Sequence, residues 1–166
     1  MTEDMPDLCE AWKKDGTQCD LDATHGVLCK RHARQIAYAA KGSQRRRVIR
    51  VHLRGLSERD IQEAANAYLV ENGYTPNATA NPYAFRPHVE ALIRERGEVS
   101  STDIVAHVCS LTPYEISAAK TGQLLRVMVM DGTLARRQVW IKGSGVNVYA
   151  IREEVAPSEP DLDSLC

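Results

Sequence analysis

Four side chains able to bind a metal stand near the start of the chain: Cys9, Cys19, Cys29 and His32, with nine, nine and two residues between successive members. Thiolate sulfur with imidazole nitrogen is a donor set that favours zinc. A two-residue gap, as in Cys29-Lys30-Arg31-His32, lets two ligands converge on one ion, while the wider gaps let the chain wrap round to complete a tetrahedron. Four protein ligands leave no open position for water, so the spacing predicts one structural Zn2+ and not a catalytic one. Gly16 and Gly26 each lie three residues before a cysteine, where glycine permits the tight turn that aims a thiolate.

Other pairings of these residues compete. His25 is an alternative to His32. Disulfides are disfavoured in a chain with no secretory signal, and an iron-sulfur cluster calls for more tightly clustered cysteines. Cys109, on an apolar helix end, and Cys166, in the tail, are read as non-ligands. Little else has the pattern of catalytic chemistry. There is no phosphate loop, nucleophile elbow or metalloprotease histidine pair, and His52, His88 and His107 are scattered as structural or surface residues, so the chain is not expected to be an enzyme.

The elements that must position these groups follow from composition. At 166 residues and 43% hydrophobic content, the chain suffices for one ordinary domain or two small ones. No apolar stretch is long enough for a membrane span and the first residues are acidic, so a cytoplasmic protein of a bacterial or phage-infected cell, without membrane contact, is expected. The sequon Asn77-Ala78-Thr79 is then chance. A net charge of -1 conceals zoning. From Ala23 to Ser57 there is no acidic residue but nine basic ones, whereas Glu153 to Cys166 holds five acids and no base. A basic zone of this kind suits a polyanionic partner.

The pattern predicts an α+β chain, mainly helical, in five parts. Residues 5–41 form a zinc-binding module short of large apolar residues and therefore in need of a staple. Residues 42–74 form a basic and amphipathic helical segment, with a helix start at Ser57 and an apolar stripe of Ile61, Ala64, Ala65, Tyr68 and Leu69. Residues 75–84, with their prolines and asparagines, read as a linker. Residues 85–152 read as helix, short strand, helix, helix, hairpin. Pro87 opens the first of these helices and Gly97 closes it. Val99 marks the strand, and Ser100 or Ser101 caps the second helix. The third helix runs from Thr112-Pro113 to Asp131-Gly132, with Ala118, Leu125, Met128 and Val129 inward. Strands at 133–141 and 146–151 flank the turn Lys142-Gly143-Ser144-Gly145. Residues 153–166 form an acidic disordered tail. Trp140, Tyr149 and Tyr68 read as core or interface residues.

Two stretches carry resemblances. Cys9-Glu10-Ala11-Trp12-Lys13-Lys14-Asp15-Gly16-Thr17-Gln18-Cys19, continued by Gly26-Val27-Leu28-Cys29-Lys30-Arg31-His32, resembles short Cys3His zinc modules of bacterial and bacteriophage proteins. This implies the four ligand positions and nothing about substrate. Gly122-Gln123-Leu124-Leu125-Arg126-Val127-Met128-Val129-Met130-Asp131-Gly132-Thr133-Leu134-Ala135-Arg136-Arg137 resembles a recognition helix passing through a glycine turn into a wing. By that likeness residues Arg86 to Arg152 look like a winged helix-turn-helix domain of prokaryotic transcription regulators.

The resemblance implies sequence-specific binding of double-stranded DNA. Gln123 would reach adenine and Lys120 or Arg126 guanine in the major groove, with Ser117 and Thr121 close to phosphates. Arg136, Arg137 and Lys142 would lie on the wing. The domain carries nine bases against six acids, a modest excess that Arg45, Arg46, Arg47 and Arg50 would supplement. The competing expectation is a zinc-containing adaptor or inhibitor that grips a protein such as a polymerase, through the zinc module or the acidic tail. A homodimer through the helix from Ser57 to Gly73 is also consistent with paired half-sites.

Overall fold

The computed structural model describes residues 7–39 and 42–152. The fold is α+β. Its elements are α1 (Lys30–Tyr38), α2 (Ser43–His52), α3 (Glu58–Glu71), α4 (Arg86–Arg96), β1 (Glu98–Ser100), α5 (Ser101–Ser110), α6 (Ala118–Met130), β2 (Leu134–Ile141) and β3 (Ser144–Ile151). A single 3-10 turn at Pro82–Phe85 leads into α4. Among the described residues no helix is long and apolar enough to cross a membrane. Lys41 and the tail 153–166 lie outside the described residues.

The buried side chains form two clusters. The first joins Cys9, Ala11, Cys19, Leu28 and Cys29 to Ala33 and Ile36 of α1, Leu53, and Ile61, Ala64, Ala65, Tyr68 and Leu69 of α3. The stripe expected on α3 is therefore its buried face. Burying an aliphatic side chain of this size is worth about 1.5–3 kcal/mol. The segment before α1 shares its buried cluster with α3, so described residues of 5–41 and of 42–74 belong to one cluster. Ser57 starts α3 as expected: its hydroxyl accepts from the Asp60 amide at 3.1 Å.

The second cluster comprises Phe85, Val89, Leu92, Ile93, Val99, Ile104, Val108, Ile116, Leu124, Leu125, Met128, Leu134 and Tyr149. Pro87 sits in the first turn of α4, Gly97 caps its end, and the Ser100 hydroxyl caps α5 by accepting from the Asp103 amide at 3.1 Å. β3 lies between β1 and β2 in an antiparallel sheet of order β1-β3-β2. β2 pairs with β3 from Leu134↔Ile151 to Ile141↔Ser144.

Three expectations need correction here. The helix expected from Thr112-Pro113 starts at Ala118, because Ser117 caps it by accepting from the Lys120 amide, and 112–117 is irregular. Its buried stripe is Thr121, Leu124, Leu125 and Met128, whereas Ala118 is exposed. The hairpin turn is two residues, Lys142 (φ 49°) and Gly143 (φ 80°), since the ladder continues through Gly145 and Ser144. Positive φ at both centres matches the twist of the strands.

The stretch 75–84 is held from both sides. Asn66 Oδ1 accepts from the Asn77 amide at 2.7 Å, the Thr75 amide donates to the Leu111 carbonyl at 3.0 Å, and Ala78 packs against both clusters. Tyr114, from the irregular 112–117 segment, donates its hydroxyl to the Ala37 carbonyl of α1 at 2.6 Å. A cavity of about 220 Å³ lined by Ile36, Arg45, Gln62, Asn77 and Tyr114 lies beside that bond. Replacing Tyr114 by phenylalanine removes the donor and leaves a half-buried carbonyl unpaired. A loss of about 1 kcal/mol in denaturant unfolding of the Tyr114→Phe chain is expected, with no change in metal content.

Candidate functional site

Between Asp7 and Cys29 the backbone forms only isolated antiparallel bridges, Leu8↔Asp22, Trp12↔Gln18 and His25↔Leu28. They suffice to lay two cysteines side by side. The Cys9 amide donates to the Leu21 carbonyl and the Cys19 amide to the Ala11 carbonyl, each at 2.8 Å. Gly16 (φ 85°) and Gly26 (φ 57°) supply the left-handed turns before Cys19 and Cys29. Cys29 occupies the N-cap of α1 without capping through its side chain, so its thiol is free to point elsewhere, and His32 follows in the first turn.

The four side chains meet. Nδ1 of His32 lies 3.6 Å from Sγ of Cys9 and 3.3 Å from Sγ of Cys29, and Sγ of Cys19 lies 4.0 Å from Sγ of Cys29. All four ligand atoms fall within 4.8 Å of one another, and every residue is buried. A tetrahedral ion with bonds of roughly 2.3 Å to sulfur and 2.0–2.1 Å to nitrogen would set its ligands roughly 3.5–3.8 Å apart. The observed spacings surround that range, so the cluster can bind one metal ion. They exclude disulfides, whose sulfurs lie about 2.05 Å apart, and the cysteines are free.

Burial pushes the Cys9 thiol up to about 12. Burial, then His52 and Arg31, hold His32 below the usual histidine range. Both shifts favour neutral side chains, and a bound cation is what would stabilise thiolates here.

His25 does not belong to the cluster. Its Nε2 donates to the Glu71 carboxylate at 2.5 Å and its Nδ1 meets the Thr24 hydroxyl at 2.9 Å, so both ring nitrogens are engaged. Lys30, then His25, hold the Glu71 carboxyl below its usual range. Cys109 is exposed, outside the cluster, and Cys166 lies outside the described residues.

His52, expected as a structural or surface residue, is structural, and its partner was not foreseen. The Trp12 amide donates to the His52 carbonyl at 2.7 Å, and the His52 Nδ1 donates back to the Trp12 carbonyl at 2.8 Å. This pair ties the ligand loop to the end of α2, with the His52 ring 5.6 Å from that of His32. No spacing rule announces a contact between residues forty positions apart.

The basic residues fall into distinct settings. Lys120, Gln123 and Arg126 are exposed on α6, and Ser117 is its exposed cap. Gln123, Arg126 and Met130 face Arg136, Asn147 and Tyr149 across an open groove between α6 and the hairpin. Asn147 and Tyr149 were not anticipated as lining it. From Ser117 to Arg152 there are six bases and one acid, Asp131. Thr133 and then Arg86 hold the Asp131 carboxyl below its usual range.

Thr121 does not reach this surface: it is 0% exposed and its hydroxyl has no hydrogen-bond partner. Arg137 points to the other sheet face, where its Nε donates to Glu98 at 2.8 Å and a second bond joins the same pair. Lys142 is exposed in the hairpin turn. Arg46, Arg47 and Arg50 are exposed on α2, whereas Arg45 is half-buried and donates to Glu58 at 2.9 Å. Tyr68 and Tyr149 are buried as expected of core residues, but Trp140 is 71% exposed and belongs to no core.

No known protein family, curated protein or solved structure matches the chain. The metal cluster is directly testable. Chain purified with its metal should carry one ion; Cys29→Ala should lose it, and His25→Ala should retain it. Elemental analysis of the three proteins reads the outcome.

Proposed function

We propose that this chain binds specific sequences in double-stranded DNA, as a regulator of transcription, with α6 as the recognition helix of a winged helix-turn-helix domain and β2–β3 as its wing. The observation that carries the reading is the exposed face of α6, where Lys120, Gln123 and Arg126 stand free of acidic neighbours on their own helix. A major groove admits one helix, and these side-chain types match its donor and acceptor edges. The element order α4, β1, α5, α6, β2, β3 and the strand order β1-β3-β2 support it as the order such a domain would have. In this reading Arg136 approaches the backbone beside α6 and Lys142 leads the wing, while Arg137 serves the sheet through Glu98.

The metal in this proposal is zinc, because three sulfurs and one imidazole suit a soft tetrahedral ion, and its part is structural. A second reading, an adaptor that grips a protein partner, is favoured by apolar exposure at Met130 (80%) and Trp140 (71%).

Selection from random duplex DNA at two salt concentrations separates the two. A single enriched motif is expected, and Lys120→Ala, Gln123→Ala and Arg126→Ala should each cost about 1–3 kcal/mol of affinity for it, with folding intact. No enrichment at either salt, with the protein folded and metal-loaded, overturns DNA reading by α6.

A further inference from the structure

A cationic cleft lies against the metal cluster, away from α6. Two adjoining hollows, about 400 and 470 Å³, share Lys14, Gln35 and His52. The ligand loop contributes Lys14, α1 contributes Arg31 and Gln35, and α2 contributes Arg47 and His52. The metal ligands Cys19 and His32 line one end. Among the described residues Lys14, Arg31 and Arg47 form no ion pair, although all three are exposed, while the nearby Asp20 is already taken by Lys13 at 3.0 Å. Arg46 and Arg50 extend the same helix outward.

Three unpaired cations from three separate elements line these adjoining hollows, and the Trp12–His52 bonds and the ligand cluster tie those elements to one another. A polyphosphate supplies the negative charge that these cations lack and gains from the release of its own condensed counterions. A single small anion would meet only one or two of them. A phosphodiester backbone, with a charge every few ångströms, can meet all three and continue to Arg46 and Arg50.

We infer that this cleft is a second, sequence-independent contact for the phosphate backbone of nucleic acid, made by Lys14, Arg31 and Arg47 and organised by the metal cluster. It shares its class of partner with the α6 reading but no residue of α6 or the hairpin; Arg47 alone was already expected from the sequence to supplement that reading.

The test is the salt dependence of binding to a random-sequence duplex, measured by anisotropy on full-length, metal-loaded protein from about 50 to 200 mM salt. Changing Lys14, Arg31 and Arg47 together to alanine should lower the slope of log K against log salt by about 2–3, near 0.9 for each phosphate lost. K14R/R31K/R47K should keep the slope, and metal content with an unchanged melt verifies folding. If the triple alanine chain loses its metal, Arg47→Ala alone, outside the ligand loop, should lower the slope by about 1. An unchanged slope in a folded variant overturns the inference, as does a wild-type chain without affinity for random duplex at low salt. A chain that binds random duplex through these residues but selects no motif removes the α6 reading and leaves this one standing.

Discussion

The convergence of three thiols and one imidazole inside the first buried cluster is the constraint from which the rest of this half of the molecule follows. Residues 7–29 contain neither helix nor extended strand, and their backbone is tied by single bonds between separated positions, such as Cys9 to Leu21, Glu10 to Val27 and Trp12 to His52. Side chains must add to this, and Cys9, Cys19 and Cys29 are buried there together with Ala11 and Leu28. Thiols and an imidazole packed this tightly have little to offer one another beyond weak hydrogen bonds. A metal ion turns the same geometry into strong bonds and makes its binding free energy part of folding. Cys29 and His32 belong to α1, and α1 packs on α3, so a clasp at the loop is transmitted to the whole cluster.

The two halves are joined by a few defined contacts. Tyr114 reaches α1 from the segment that precedes α6, Thr75 bonds to Leu111, and Ala78 touches both buried clusters. The segment that orients the start of α6 is therefore anchored on the half that holds the cysteine-histidine cluster. In the second half, two serine caps, Ser100 and Ser117, and one short strand place α6 beside the hairpin, which leaves one face of α6 open and basic.

Local signals in the sequence were legible where a side chain acts on its own neighbourhood. Ser57 and Ser100 cap helices because a hydroxyl three residues before an amide can reach it, and the Cys29–His32 spacing works because both sit within one turn. The same logic misled at Thr112-Pro113: proline tolerates a helix start, but Ser117 supplies the stronger cap. Thr121 read as surface because a hydroxyl is polar, yet its place one turn before Leu124 and Leu125 turns it inward. Arg137 looked free because its partner, Glu98, lies on another strand. The 75–84 stretch looked like a linker because its contacts with Asn66 and Leu111 are tertiary. In each case what composition and spacing omit is a partner distant along the chain. That also explains why the bonds between His52 and Trp12 were not foreseen while the four ligands were.

A metal ion clasped by these four ligands would hold the first cluster together, and the second cluster would not need it. Amide hydrogen exchange before and after removal of the metal from the intact chain tests this most directly. Protection should collapse in peptides containing Leu28, Ile36 and Leu69 and persist in those containing Ile93, Leu125 and Met128. Unchanged protection around Leu28 and Ile36 once the metal is gone would contradict the account.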